Sequence, residues 1–169
     1  LVLSKCPRVT KLSRQQFVEY YTGRKRTIYE NAAKSLEAKP LGKSDGNVKT
    51  FVKKEKTDRT AKPDPVPRMI QPHPPRFNIE LGCYLRPVEG VIYTAIEEVF
   101  GYSFIAKGRN ADDIGTIMHD VWRSFVKPAA IGIDMKRFDQ HTGQIPLKFE
   151  HSFYNSMYRR KILLQMLRI

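Results

Sequence analysis

The chain predicts an α+β fold, mainly helical with short strands, and three observations predict it. Apolar residues recur at three- and four-residue intervals in several runs between Ser13 and Tyr158. Six prolines crowd the stretch from Pro63 to Pro75, and one compact apolar run, AAIGI, ends on Asp134. The first is the mark of helices that bury one face. The second excludes a helix interior or a central strand, because proline lacks the N–H that either needs. The third suits a short buried strand. With 169 residues, 41 % of them hydrophobic, the chain is long and apolar enough to bury a real core.

Taken in order, Ser13 begins a capping-box pattern with Gln16, and Phe17, Val18 and Tyr21 follow at helical spacing until Gly23 interrupts them. Ile28, Ala32, Ala33 and Leu36 predict a second helix that stops before Pro40. LGKSDGN, 41–47, is a loop. The proline-rich stretch that follows is expected to run extended, as a semi-rigid basic strap or as a stiffened linker between packed units. Pro87 stands where a first helical turn begins, with Val88, Val91, Ile92, Ala95, Ile96 and Val99 as its apolar face and Gly101 as its stop. Asn110 caps the next helix, whose buried face is Ile114, Ile117, Met118, Val121, Trp122 and Phe125 and which Pro128 ends. Phe153, Tyr154, Met157, Tyr158, Ile162 and Leu163 predict a long final helix.

No run of eighteen apolar residues occurs, and LVLSKCPRVT lacks the apolar core of a signal peptide, so a soluble chain is expected. Cys6 and Cys83 are isolated, which argues against structural zinc and a disulfide framework and for a reducing compartment. The net charge is +13, and residues 1–76 hold 18 Lys and Arg against 7 Asp and Glu. Cations gathered at one end point to a polyanionic partner, nucleic acid or an anionic membrane surface, through counterion release; a solvated surface is the plainer alternative.

The run AAIGIDMKRFDQH carries two aspartates, Asp134 and Asp139. Neither a regular strand nor a regular helix makes positions five apart converge; a strand that turns after Asp134 does. A carboxylate at a strand's end suits Mg²⁺, a hard cation often held by one or two carboxylates together with substrate phosphates. The spacing alone is weak. Asp139 can equally be a turn or helix cap, and Asp134 can pair with Lys136 or Arg137.

FVKKEKTDRTAKPDPVPRMIQPHPPRFNIELGCYLRPVEG followed by AIGIDMKRFDQH, with YYTGRKRTIYENAAKSL before them, resembles the RNA-directed RNA polymerases of positive-strand RNA viruses, specifically of the tombusvirus family of plant viruses. That resemblance implies part of a right-hand polymerase: fingers helices over 1–50, a basic extended fingers segment over 51–86, a helical fingers and palm region over 87–127, and the start of the palm over 128–169. It implies that Asp134 binds the catalytic Mg²⁺ (or Mn²⁺) and that Asp139 senses the ribose 2′-hydroxyl, so that both are catalytic. Lys53, Lys54, Lys62 and Arg68 would contact the incoming triphosphate and the template backbone.

The resemblance further implies, as partners, an RNA template and nascent strand, nucleoside triphosphates, the rest of the polymerase chain, and viral and host replication factors. The place implied is the host cell cytoplasm, at membrane-associated replication complexes reached through other parts of the protein. The later palm motifs, including the Gly-Asp-Asp turn, do not occur here. A fragment inactive by itself is therefore expected. The alternative is a non-catalytic basic RNA-binding module.

Overall fold

The structure, a computed structural model, describes residues 1–56, 58, 60, 63, 65–136 and 138–158, with Asp139 and Gln140 described by their backbone alone. Lys62, Ile162 and Leu163 lie outside the described residues. Helices α1 (Val2–Lys5), α2 (Arg14–Glu19) and α3 (Gly23–Ala38) precede a 3-10 turn at Lys43–Gly46. Strands β1 (Phe51–Val52) and β2 (Met69–Ile70) follow, then α4 (Pro75–Phe100), α5 (Ala111–Arg123), α6 (Phe138–His141) and α7 (Gln144–Tyr158). The fold is α+β and mostly helical, as expected. The described residues divide into two units, one within Lys11–Arg86 and the other Leu1–Thr10 together with those from Pro87 to Tyr158.

In the Lys11–Arg86 unit, Ser13 caps α2 as its sequence predicts: Gln16 N–H donates to Ser13 Oγ at 3.1 Å, and Ser13 N–H donates to Gln16 Oε1 at 2.8 Å. Gly23, at φ +55°, turns the chain into α3. Phe17 and Val18 from α2, Tyr29, Ala32 and Leu36 from α3, and Ile79 and Cys83 from α4 form one buried cluster. Positions 29, 32 and 36 lie on one helix face, whereas Ile28 stays exposed. Two polar clamps tie the helices around this core. Arg14 Nε meets Glu80 Oε1 at 2.5 Å. Arg76 reaches Asp45 Oδ1, Ser35 Oγ and the Lys39 carbonyl, each at 2.8 Å, so it closes the end of α3 onto the start of α4. The Arg76 bond, then the Gly42 N–H, hold the Asp45 carboxyl below its usual range. Burial pushes the Cys83 thiol up to about 11, which makes it a packing group and not a nucleophile.

Helix α4 begins at Pro75, so the extended strap ends twelve residues earlier than expected, and Pro87 lies inside the helix rather than at its start. A proline at 87 offers no N–H to the carbonyl four residues back, that of Cys83. The Leu12 N–H takes that place and donates to the Cys83 carbonyl at 2.9 Å. The acceptor that proline leaves open is thus satisfied from outside the helix, which offsets part of the cost of keeping proline there.

In the second unit, Val88, Ala95 and Met157 are buried. Gly101, at φ +79°, ends α4, and the loop after it folds back on Glu97. The Glu97 carboxylate accepts from Ser103 Oγ at 2.8 Å, from the Phe104 and Ile105 N–H groups at 3.1 and 3.2 Å, and from Arg109 Nη2 at 3.0 Å. The Ser103 bond leads these donors in holding its pKa down at about 2. Because the folded value lies below the ordinary 4.5, this stabilisation is complete above about pH 4.5 and fades as pH falls toward about 2. Glu97→Gln should flatten the acid limb of a stability curve in that window, read by urea midpoints at successive pH values; an unchanged limb would assign the acid sensitivity to other carboxylates.

Asn110 caps α5 through its Oδ1, which accepts from Asp113 N–H at 2.8 Å. The helix stops at Arg123, before Pro128, with the Ser124 N–H shared between the Asp120 and Val121 carbonyls at 3.1 Å. Its apolar face is not buried as expected: Met118 is 68 % exposed, Trp122 49 % and Phe125 61 %. Ile117, Val121 and Phe125 instead line an open groove of about 340 Å³ with Tyr102. No described element covers that face, and a helix face without a partner stays wet whatever its periodicity. Among the described residues, no helix is long and apolar enough to cross a membrane.

Candidate functional site

The basic strap is organised by the β1–β2 pair. Phe51 faces Ile70 and Val52 faces Met69 in antiparallel register. Lys53 N–H continues the ladder by donating to the Arg68 carbonyl at 2.8 Å, which sets residues 53 and 68 opposite each other. Two cations directly opposed on one face of a pair repel. Glu55, two positions beyond Lys53 and hence on the same side of an extended chain, relieves this.

Lys53 Nζ lies 2.6 Å from Glu55 Oε1, and Arg68 Nε donates to Glu55 Oε2 at 2.9 Å while its Nη2 grips Oε1. The Arg68 bond, then the Lys53 bond, hold the Glu55 carboxyl below its usual range. Lys54 is exposed and by alternation belongs to the other side of the strand. Beyond it, Asp58 Oδ1 accepts from the Thr60 N–H at 2.8 Å and from Thr60 Oγ1 at 2.6 Å, a local turn in the connection between β1 and β2. The structure therefore brings Lys53 and Arg68 together and shows what joins them. Sequence reading missed Glu55, although the K-x-E alternation opposite an arginine was its available signal.

The aspartate run differs from its expectation. Residues 129–135 form no strand, and Ile131 and Ile133 are 85 % and 86 % exposed. A strand needs a neighbour for its N–H and C=O groups and cover for its side chains, and among the described residues this run has neither. Asp134 is exposed in an irregular segment, and no ion pair with Lys136 forms; Arg137 lies outside the described residues. Asp139 lies on the single turn α6, with its side chain outside the description. The hairpin belongs to the Lys11–Arg86 unit and Asp134 to the other.

As a hard anionic oxygen donor, Asp134 suits Mg²⁺ as one ligand. Among the described residues, no group of three or more His, Cys, Asp or Glu could hold a metal ion, so these residues do not form a complete metal centre.

Comparison with known proteins gives the family. The model for viral RNA dependent RNA polymerase matches residues 1–169. The RNA-directed RNA polymerase of Melon necrotic spot virus is 52 % identical over 145 residues, 86 % of this chain and 18 % of the relative. That of Maize chlorotic mottle virus is 50 % identical over 93 % of this chain and 16 % of its own length, and that of Turnip crinkle virus 46 % identical over 94 % and 20 %. The chain thus spans about a fifth of the curated relatives it matches. No solved structure matches it. Identity of this extent, over nearly the whole chain and including both the strap and the aspartate run, places the protein in the family of viral RNA-dependent RNA polymerases, alongside those of the tombusvirus family.

Proposed function

We propose that the protein to which this chain contributes copies an RNA template from nucleoside triphosphates. The 3′-hydroxyl of the growing strand attacks the α-phosphorus, a new P–O bond forms, and the bond to the β-phosphate breaks to release pyrophosphate. In this reading the residues up to 127 belong to the fingers and their junction with the palm of a right-hand polymerase, and the palm begins at residue 128. Lys53 and Arg68 neutralise the triphosphate, while Lys54 and Lys62 serve the triphosphate or the template backbone. Asp139 accepts a hydrogen bond from the ribose 2′-hydroxyl, the donor that separates RNA from DNA precursors. Asp134 supplies one oxygen to Mg²⁺ or Mn²⁺, with further ligands from outside the described residues. When bound, such an ion contributes electrostatic stabilisation of the charge developing on the phosphoryl group. Work at membrane-associated replication complexes in the host cytoplasm rests on the family likeness alone.

The observation that carries this reading is the hairpin: two cations set opposite each other by backbone register, with their charged ends on one carboxylate. Groups that meet on one carboxylate can meet on one phosphate. Arg68→Ala in the full-length polymerase should raise KM for nucleoside triphosphate about ten- to a hundredfold, the worth of a charge-assisted pair. Steady-state incorporation on a primed template reads it. The second reading, a non-catalytic RNA-binding module, draws on the exposed, irregular setting of Asp134. It predicts that Arg68→Ala weakens salt-dependent RNA binding while KM for nucleotide stays put.

A further inference from the structure

We infer that Glu55 is a placeholder for a phosphate of the incoming nucleotide: its carboxylate keeps Lys53 and Arg68 converged between turnovers and is displaced from both when the triphosphate arrives. This rests on the reading of Lys53 and Arg68 as triphosphate ligands. The geometry supports it in three ways. Glu55 engages Arg68 through both carboxylate oxygens, the fork-to-fork arrangement that a phosphate also offers guanidinium. The same carboxylate takes Lys53 Nζ at 2.6 Å, so a single anionic group occupies the meeting point of both cations. The three side chains are not locked in the core: Lys53 and Arg68 keep 44 % and 65 % of their side-chain surface exposed and Glu55 keeps 28 %, so an anion from solvent can reach the cations without unfolding the hairpin.

An exposed ion pair is worth little, up to about a fivefold factor. That is the property an exchangeable anion needs, because a triphosphate with several charges can outcompete one carboxylate. Without Glu55, the opposed cations repel and their side chains spread over many rotamers. With it, they wait in a converged arrangement, and the cost is competition for the seat. Glu55 is in this sense a positioning residue, acting through Lys53 and Arg68 rather than on the reacting atoms.

The test uses the full-length polymerase on a primed RNA template with Mg²⁺. Glu55→Gln keeps the shape and removes the charge; it is expected to lower KM for nucleoside triphosphate about three- to fivefold, with the change in KM rather than kcat. Tripolyphosphate, which offers the phosphate chain without base or sugar, should inhibit the variant at correspondingly lower concentration. Glu55→Asp keeps the charge and should return KM toward the parent value. A KM for Glu55→Gln that is unchanged or raised, while Arg68→Ala raises KM, overturns the placeholder role and leaves the triphosphate reading standing. An unchanged KM in Arg68→Ala instead removes that reading and this inference with it.

Discussion

Asp134→Ala in the full-length polymerase is expected to lower single-turnover nucleotide incorporation about a thousandfold or more, with primer-template affinity at fixed salt changed by no more than about twofold. The two halves of that expectation have different physical sources. A carboxylate that helps hold a catalytic divalent ion carries several kcal/mol of transition-state stabilisation, and each 1.36 kcal/mol is about a factor of ten in rate. Affinity for the nucleic acid comes from cations that displace condensed counterions, and Asp134 adds none of these. Asp134→Asn, which preserves volume, should behave like the alanine variant. Near-parental incorporation with Mg²⁺ in either variant would reject the metal role, and a parallel loss of template affinity would assign Asp134 to folding.

Gly82→Ala should destabilise the Lys11–Arg86 unit by about 1–2 kcal/mol. A Cβ at position 82 would lie 2.2 Å from Phe17 Cε2, 2.7 Å from Cζ and 3.1 Å from Cδ2. The ring cannot easily retreat, since Tyr21 and Tyr29 stand 5.2 and 5.3 Å away, centroid to centroid, and Phe17 is only 3 % exposed. Overpacking of this kind costs about 1–3 kcal/mol, and alanine recovers close to 1 kcal/mol of helix propensity over glycine. The clash wins. Urea midpoints followed by far-ultraviolet circular dichroism measure it, and Phe17→Leu should partly rescue the variant by vacating the space. Gly90, in the same helix, has nothing within 4 Å of its added Cβ, so Gly90→Ala is the control in which propensity acts alone.

What sequence reading captured was local chemistry. The Ser13 capping box, the Asn110 cap, the glycine stop at Gly101 and the end of α3 before Pro40 all depend on groups within a few residues of each other, and each stands where it was expected. Helix α2, by contrast, ends at Glu19, and Gly23 opens α3 instead of stopping the helix before it. What it misjudged depended on distant partners. Pro87 read as a helix start because the Leu12 N–H that makes its interior position tolerable lies seventy-five residues away. AAIGI read as a buried strand, and the α5 face as core, because apolar pattern records a preference for burial and not the presence of a cover. At the candidate site the cations of the strap were legible from composition. The role of Glu55 was not, since it follows from a hairpin register fixed by two residue pairs across a long connection.

The bond from Leu12 to Cys83, together with a core that mixes residues 17–36 with residues 79 and 83, has a consequence during protein synthesis. More than sixty residues separate Phe17 from Ile79, and a ribosome adding about 5–20 residues per second needs roughly 3–12 seconds to traverse them. For that interval the nascent α2 and α3 hold Phe17, Val18 and Leu36 without the Ile79 and Cys83 that pack on them in the fold. Chaperone capture or aggregation therefore has its opening at the segment from Leu12 to Leu36, before translation reaches α4.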